Sequence, residues 1–131
     1  MAESAPSYND LVRDHFTSPR NTPCHLSGPD VVFGQAGNEG GGVVYRLSAR
    51  MRGARLAELR FEAYGCPHTI AAGSLLTEQL AGSTVEEALR WNWRTMSRAL
   101  ELPAEKRGRL LILEDALRSL MAAAGVPTDG P

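Results

Sequence analysis

Cysteine is scarce in this chain of 131 residues: Cys24 and Cys66 are the only two. A single pair cannot staple a small secreted domain, which excludes a disulfide framework and points to a reducing cytoplasm, with one structural disulfide as the alternative. Charge of one sign is lacking too. Fourteen Lys and Arg stand against 15 Asp and Glu, a net charge of −1, so nothing draws the chain generally toward nucleic acid or anionic lipid. No apolar run approaches a membrane span. The opening Met1-Ala2-Glu3-Ser4-Ala5-Pro6 has neither the basic nor the apolar region of a secretion signal. Internal repeats and low-complexity tracts are absent. The glycines between Gly37 and Gly42 do not make a phosphate loop, because no Lys-Ser/Thr pair closes them and a strand pattern follows.

What remains is one domain, expected over residues 8–124, with a loose leader over 1–7 and a frayed tail over 125–131. Its 43% hydrophobic and 22% charged residues suffice for a real core. Tyr8, Leu11, Val12 and His15/Phe16 recur at helical spacing before Pro19. Val31-Val32-Phe33 reads as a weak strand and Gly40-Gly41-Gly42 as a mobile loop. Tyr45, Leu47, Ala49 and Met51 alternate with Val44, Arg46, Ser48 and Arg50, and Arg52-Gly53 supplies a turn. Leu59, Phe61 and Ala63 answer against Glu58, Arg60 and Glu62. Arg46 and Arg50 facing Glu58 and Glu62 predict an antiparallel hairpin solvated on one side. A helix then runs from about His68 to Leu80. Ser83 with Glu86 forms a capping box for a helix carrying Val85, Ala88, Leu89 and Met96. After Leu102-Pro103 comes a last helix with Leu110, Leu113, Leu117, Leu120 and Met121 as its buried stripe. The order predicts an α+β fold, a three-stranded antiparallel sheet with helices packed on one face.

Chemistry concentrates at Tyr64-Gly65-Cys66-Pro67-His68, where the strand pattern stops and a helix starts. A thiol there meets the free N–H groups and positive end of the helix. Those favour thiolate, which attacks sulfur compounds and binds soft metals. The plain alternative is a small buried side chain. His68 completes a compact Cys-x-His spacing, with Pro67 in the first helical turn; its alternative is an exposed or hydrogen-bonded histidine. Cys24-His25 offers a second soft pair in an irregular loop. The two pairs would make a four-ligand zinc or cluster site if the loop folds back, or if a homodimer shares them; otherwise these are unrelated loop residues. His15 reads as a packing histidine. Trp91 and Trp93 are two apart and cannot share a helix face, so one is expected in the core and one at the surface. Glu114-Asp115 has no second acid suited to catalysis.

Several strings together resemble one family. Tyr8-Asn9-Asp10-Leu11-Val12-Arg13-Asp14-His15-Phe16 through Pro19-Arg20-Asn21 is similar to the opening of the U-type iron–sulfur cluster assembly scaffolds, IscU and the N-terminal domain of NifU. Phe61-Glu62-Ala63-Tyr64-Gly65-Cys66 resembles their second ligand segment, and Leu75-Leu76-Thr77-Glu78, Leu100-Glu101-Leu102-Pro103 and Leu113-Glu114-Asp115-Ala116 follow in family order. The resemblance implies a SufE/NifU-like fold and a non-enzymatic scaffold. Three cysteines, an aspartate and a histidine would accept sulfur from a cysteine desulfurase and hold a nascent iron–sulfur cluster, or zinc in its place. Only Cys66 carries over. The Cys-Gly-Asp loop falls at about Gly41-Gly42-Val43, the His-Cys pair at Gly108-Arg109, and the chaperone string Leu-Pro-Pro-Val-Lys at Leu102-Pro103-Ala104-Glu105-Lys106. Arg109 opposes a metal ion but favours thiolate if close to Cys66.

Three readings stand. The first is a divergent scaffold that binds iron, zinc or sulfur through Cys66, or modulates the assembly machinery. The second is an interaction module that keeps only the fold. The third is a small thiol enzyme with His68 as base, for which no oxyanion site is evident.

Overall fold

The computed structural model describes residues 8–126. The expected leader (1–7) and all but Gly125 and Val126 of the expected tail lie outside the described residues. Three strands, β1 (Val31–Asn38), β2 (Val43–Arg52) and β3 (Arg55–Tyr64), form one antiparallel sheet in the order β1-β2-β3. Helix α1 (Asp10–Thr17) precedes the sheet. After it come α2 (Pro67–Leu80), α3 (Val85–Leu89), α4 (Trp93–Leu100) and α5 (Gly108–Ala123).

Alternation along β2 and β3 decides which face is covered. Tyr45, Leu47, Ala49, Leu59 and Phe61 are almost fully buried, and they meet Ala72, Leu76, Leu110, Leu113, Leu117 and Leu120 of α2 and α5. Each large side chain so removed from water contributes roughly 1.5–3 kcal/mol. Asn9 caps α1 by accepting the Val12 N–H at 2.9 Å, and its amide donates to the Ala99 carbonyl at 2.9 Å, tying α1 to α4. His15 is buried in the α1–α2 contact with Nδ1 2.7 Å from Ser74 Oγ.

The opposite face carries the expected charge pairing. Arg46 stands opposite Glu62 and Arg50 opposite Glu58, and Arg50 Nε donates to Glu58 at 2.8 Å. That face is less open than a solvated hairpin would be. The segment after α1 is held along the β3 edge by the Phe61 N–H donating to the Asn21 carbonyl at 2.8 Å. It then crosses the face, where Ser48 Oγ donates to the Cys24 carbonyl at 2.9 Å. Ser48 is buried as a result.

Several boundaries differ from the pattern-based expectation. Strand β1 extends through Gly34 and Gly37 to Asn38, because pairing with β2 and contact with α5 override the low strand preference of glycine. The glycine run closes as a tight turn, Glu39–Gly41, with Asn38 Oδ1 accepting the Gly41 N–H at 2.6 Å. The capping box falls one residue later than expected. Ser83 Oγ donates to the Leu80 carbonyl and finishes the previous turn, so Thr84 with Glu87 caps α3. The expected single helix to Met96 is two, because Asn92 caps α4 by accepting the Arg94 N–H at 2.7 Å. Trp91 and Trp93 are consequently both half-buried, instead of one inside and one out. Val126 is packed, not frayed: its N–H donates to the Met121 carbonyl and that of Gly125 to Ala122, a glycine-centred helix stop.

At Gly34 the α5 backbone at Leu120 and Ala116 occupies the place of a side chain. Gly34→Val is expected to lower unfolding free energy by about 1–3 kcal/mol or more, through overpacking that the helix backbone cannot relieve. Gly40→Ala, whose added methyl meets only the Asn38 side chain at 3.4 Å, should change it by less than about 0.5 kcal/mol. Denaturant titration of both variants checks the pair.

Candidate functional site

The site is built at the β3-to-α2 turn. Gly65 has φ +154°, and a Cβ on it would lie 2.7 Å from Thr69 Oγ1. Only glycine therefore lets Thr69 fold back over the turn. Thr69 is held from the other side, where its carbonyl accepts the fully buried Tyr45 hydroxyl at 3.0 Å. Cys66 is the N-cap of α2 with extended backbone, and Pro67 occupies the first helical position. With no oxygen in its side chain to close the cap, the sulfur lies against the first turn's donors. Sγ is 3.6 Å from Thr69 Oγ1 and 3.8 Å from Lys106 Nζ.

These neighbours shift the thiol toward its anionic form. Partial burial pushes its pKa up. The Thr69 hydroxyl, the N–H groups of Thr69 and His68 and the Lys106 ammonium outweigh that and hold it below the ordinary thiol range. Full burial and the adjoining thiolate push the Tyr45 hydroxyl up, so it stays a proton donor to Thr69.

His68 is 4% exposed, with the Tyr8 ring edge-on at 4.8 Å between centroids. Neither ring nitrogen has a hydrogen-bond partner. Burial, and the charges of Lys106 and Arg109, lower its pKa, so the imidazole is neutral at pH 7. Arg109 Nε is likewise buried and without a partner. The Arg109 charge bears on His68 and on the Tyr45 hydroxyl, whereas Lys106 is the cation beside the thiolate.

Cys24 and His25 lie elsewhere. Cys24 is buried where the loop crosses the outer sheet face, anchored by its carbonyl to Ser48 and by the Pro23 carbonyl accepting Arg60 Nε at 2.7 Å. Burial first and the Glu62 carboxylate second push its thiol pKa up. His25 is exposed, with Nε2 3.2 Å from Glu62 Oε2. Tyr45 lies on the helix-covered face, and the Cys66 turn is tied to it through Thr69. The sheet therefore separates the two pairs, and the four-ligand site expected if the loop folded back does not form within one chain. Both cysteines are free, so the alternative of a disulfide does not apply.

The positions implied by the resemblance do converge. Val44 stands opposite Tyr64, which brings the Gly41-Gly42-Val43 turn to the Cys66 end of the sheet, and Ile112 of α5 approaches Gly37 beside that turn. With His68 beside them they bring one thiol of lowered pKa, one neutral imidazole and two cations. Among the described residues no three His, Cys, Asp or Glu side chains form a group able to hold a metal ion. That donor set does not fit a cluster or a tetrahedral zinc on a single chain.

Two residues that set the thiol were missed from the sequence. Thr69, three after the N-cap, was legible as a first-turn donor. Lys106, forty residues away, carried no local signal.

Alkylation should distinguish the two thiols. Cys66 is expected to react with iodoacetamide at neutral pH much faster than Cys24. Its rate should fall tenfold per pH unit only below its lowered pKa. Lys106→Ala removes a stabilising charge from the thiolate, so the fall should begin at higher pH. Mass spectrometry of quenched samples across a pH series reads both.

Comparison with known proteins gives the lineage of this arrangement. The family model described as the NifU-like N terminal domain matches residues 7–123. The chain is 35% identical over 115 residues to the iron–sulfur cluster assembly scaffold protein IscU of Azotobacter vinelandii, covering 86% of this chain and 90% of that protein. To IscU of Escherichia coli it is 31% identical over 118 residues, covering 88% and 92%. In fold it is similar to a nitrogen-fixing NifU-like protein (N-terminal) from Brucella abortus, with TM-score 0.63 at 16% identity over 87% of this chain and 94% of that one. A putative iron–sulfur cluster assembly scaffold protein for the SUF system from Fervidobacterium islandicum gives TM-score 0.62 at 18% identity, covering 88% and 95%. With its three-stranded sheet, its Cys66 turn and this match over nearly its whole length, the chain belongs to the NifU-like N-terminal domain family, that of the iron–sulfur cluster assembly scaffolds.

Proposed function

We propose that this chain is a scaffold-type sulfur carrier of iron–sulfur cluster assembly, in which Cys66 accepts the outer sulfur of a persulfide presented by a cysteine desulfurase or another assembly protein. The observation that supports it best is a half-buried thiol with a lowered pKa, 3.8 Å from the Lys106 ammonium, where among the described residues no three His, Cys, Asp or Glu side chains group to hold a metal ion. Such a group handles sulfur better than it handles metal.

In the transfer, the Cys66 thiolate attacks the outer sulfur of the donor persulfide. A new S–S bond forms as the donor S–S bond breaks, and the electron pair leaves on the donor thiolate, with no net oxidation. The product is a persulfide anion on Cys66. The N–H groups at the start of α2 and Lys106 stabilise its charge as they stabilise the thiolate. Thr69 and Tyr45 hold the turn in place. The chain is loaded stoichiometrically and is not an enzyme. Cluster or metal is the cargo of the machinery it serves and is not seated on this chain alone. The single subunit carries all these groups, so no shared site in a homodimer is needed. No helix of the described residues is long and apolar enough to cross a membrane, and the two free thiols suit a cytoplasmic setting.

Incubation with a cysteine desulfurase and cysteine should add one sulfur atom to Cys66, seen by mass spectrometry of the intact chain and its peptides. Cys66→Ser abolishes the gain and Cys24→Ser retains it. Lys106→Ala slows loading severalfold at neutral pH. Absence of any sulfur on wild-type Cys66 would sink the carrier reading and leave an interaction module with the scaffold fold.

A further inference from the structure

One stretch of the chain takes no part in the Cys66 site and yet concentrates charge. Arg90-Trp91-Asn92-Trp93-Arg94 leads into α4, and Arg98 follows one turn on. Helix α4 buries Met96 and Leu100 in the core and leaves Arg94 and Arg98 exposed. At its end Glu101 takes the left-handed conformation (φ +52°), and the Leu102 N–H donates to the Ser97 carbonyl at 3.0 Å. The chain thereby doubles back, and Arg107 joins Trp93, Arg94, Ser97 and Arg98 in lining one open hollow of about 240 Å³.

The donors that line this hollow have no acceptor on the protein. None of the ion pairs of the described residues involves Arg94, Arg98 or Arg107. None of their side-chain hydrogen bonds uses those guanidinium groups or the Ser97 hydroxyl. Ser97 is only 7% exposed and lines the hollow, so its hydroxyl is a nearly buried donor whose acceptor must come from there. The Arg94 guanidinium is stacked on the Trp93 ring, 4.8 Å from its centroid, which fixes its place without neutralising it. The placement is electrostatically unfavourable for the chain alone. Arg94 stands in the first turn of α4, at the positive end of the helix, and no acid stands in that turn. Like charges at i and i+4, as at Arg94 and Arg98, oppose a helix. Arg107 adds a third cation to the same hollow, and a bound anion relieves all three.

Size and charge choose the anion. At about 240 Å³ the hollow falls below the roughly 300–1,000 Å³ of sites that enclose a drug-sized ligand, so it takes a small group. A carboxylate brings a single charge. A lone phosphate monoester brings about −1.5 to −2, short of three guanidinium groups. Two linked phosphoryl groups bring more charge in a compact space, and guanidinium forks match their oxygens. We propose that Arg94, Ser97, Arg98 and Arg107, with Trp93 as the support of Arg94, form a binding site for a diphosphate group. Its source is free pyrophosphate or a nucleotide whose remainder stays outside the hollow. Arg94 and Arg98 hold the two phosphoryl groups from α4, Arg107 holds them from the turn before α5, and the Ser97 hydroxyl donates from beneath. The site shares no lining residue with the Cys66 turn, so it stands or falls apart from the carrier reading.

Isothermal titration calorimetry of the whole chain tests this, without divalent metal and at fixed ionic strength, using pyrophosphate, ADP, AMP, inorganic phosphate and citrate. Pyrophosphate should saturate a single site per chain, with AMP, phosphate and citrate weaker by about tenfold or more. ADP as tight as pyrophosphate assigns the nucleotide as the source, and ADP much weaker assigns the free anion. Arg98→Gln and Arg107→Gln should each weaken pyrophosphate by about tenfold or more, and Ser97→Ala by severalfold. Arg52→Gln, at an exposed arginine of the β2–β3 hairpin, should bind as wild type does. Arg94→Gln should also weaken binding, and it should leave the Tm of the free chain equal to that of wild type or higher, because a repelling charge has gone. Pyrophosphate should raise the Tm of wild type and not that of Arg107→Gln. Heat that does not saturate overturns the site, as does unchanged binding in the Arg98 and Arg107 variants or an equal loss in Arg52→Gln. Citrate as tight as pyrophosphate overturns the assignment to phosphoryl groups.

Discussion

The chemistry of this molecule depends on one steric arrangement, the Thr69 side chain lying in the space that any side chain at Gly65 would fill. That contact allows β3 to turn sharply into α2 and sets a hydroxyl 3.6 Å from Cys66 Sγ. It is not free to drift, because the Thr69 carbonyl is fastened at 3.0 Å to the hydroxyl of Tyr45 in the middle strand. A core tyrosine, a glycine with no side chain and a helix start thus act as one unit, and the thiol is fixed relative to the sheet. Glycine on this turn supports position, not mobility.

Once the sulfur is fixed, electrostatics decides what it can do. A thiolate and an ammonium about 4 Å apart attract by roughly 4 kcal/mol at a near-surface dielectric, reduced by the solvent that reaches this half-buried pair. Even discounted, the attraction adds to the larger effects of the Thr69 hydroxyl and the first-turn N–H groups, and together they outweigh the burial that pushes the pKa up. The same cation that activates sulfur repels metal. One residue type at position 106 therefore does two things that a carboxylate there could not: it readies the nucleophile and discourages the cation. Arg109 extends the positive region toward His68, where a neutral imidazole adds no charge to offset it.

The sheet, its register and the buried face were legible because alternation is a strong signal where one face is covered. Arg46 opposite Glu62 and Arg50 opposite Glu58 follow directly from the charge pattern. The stripe from Leu110 to Met121 was equally plain, and all five of its residues are buried. Glycine misled at two positions of β1. Gly34 and Gly37 lie inside a strand because α5 and the Val43 carbonyl need the space, a tertiary demand that local preference does not contain. At the site, the sequence located the thiol and its helix start, and the resemblance showed which ligands are missing. It did not reveal Lys106, since the proximity of residues forty apart exists only after α5 and the preceding turn have docked. Nor did it reveal that Cys24-His25 falls on the far side of the sheet. That separation follows from three hydrogen bonds of an irregular loop, at Asn21, Pro23 and Cys24.

The contrast between the two cysteines carries the final step. Cys24 is enclosed beside a carboxylate, and both burial and that negative charge favour the protonated thiol. Cys66 is half-buried, and its neighbours are a hydroxyl, helix N–H groups and an ammonium, so burial is overruled. Burial pushes both thiols in the same direction and so does not by itself separate a structural thiol from a chemical one in this chain. The sign of the surrounding charge does: at the start of α2 a hydroxyl, backbone N–H groups and an ammonium favour the anionic sulfur of Cys66, whereas on the outer face the Glu62 carboxylate disfavours it on Cys24.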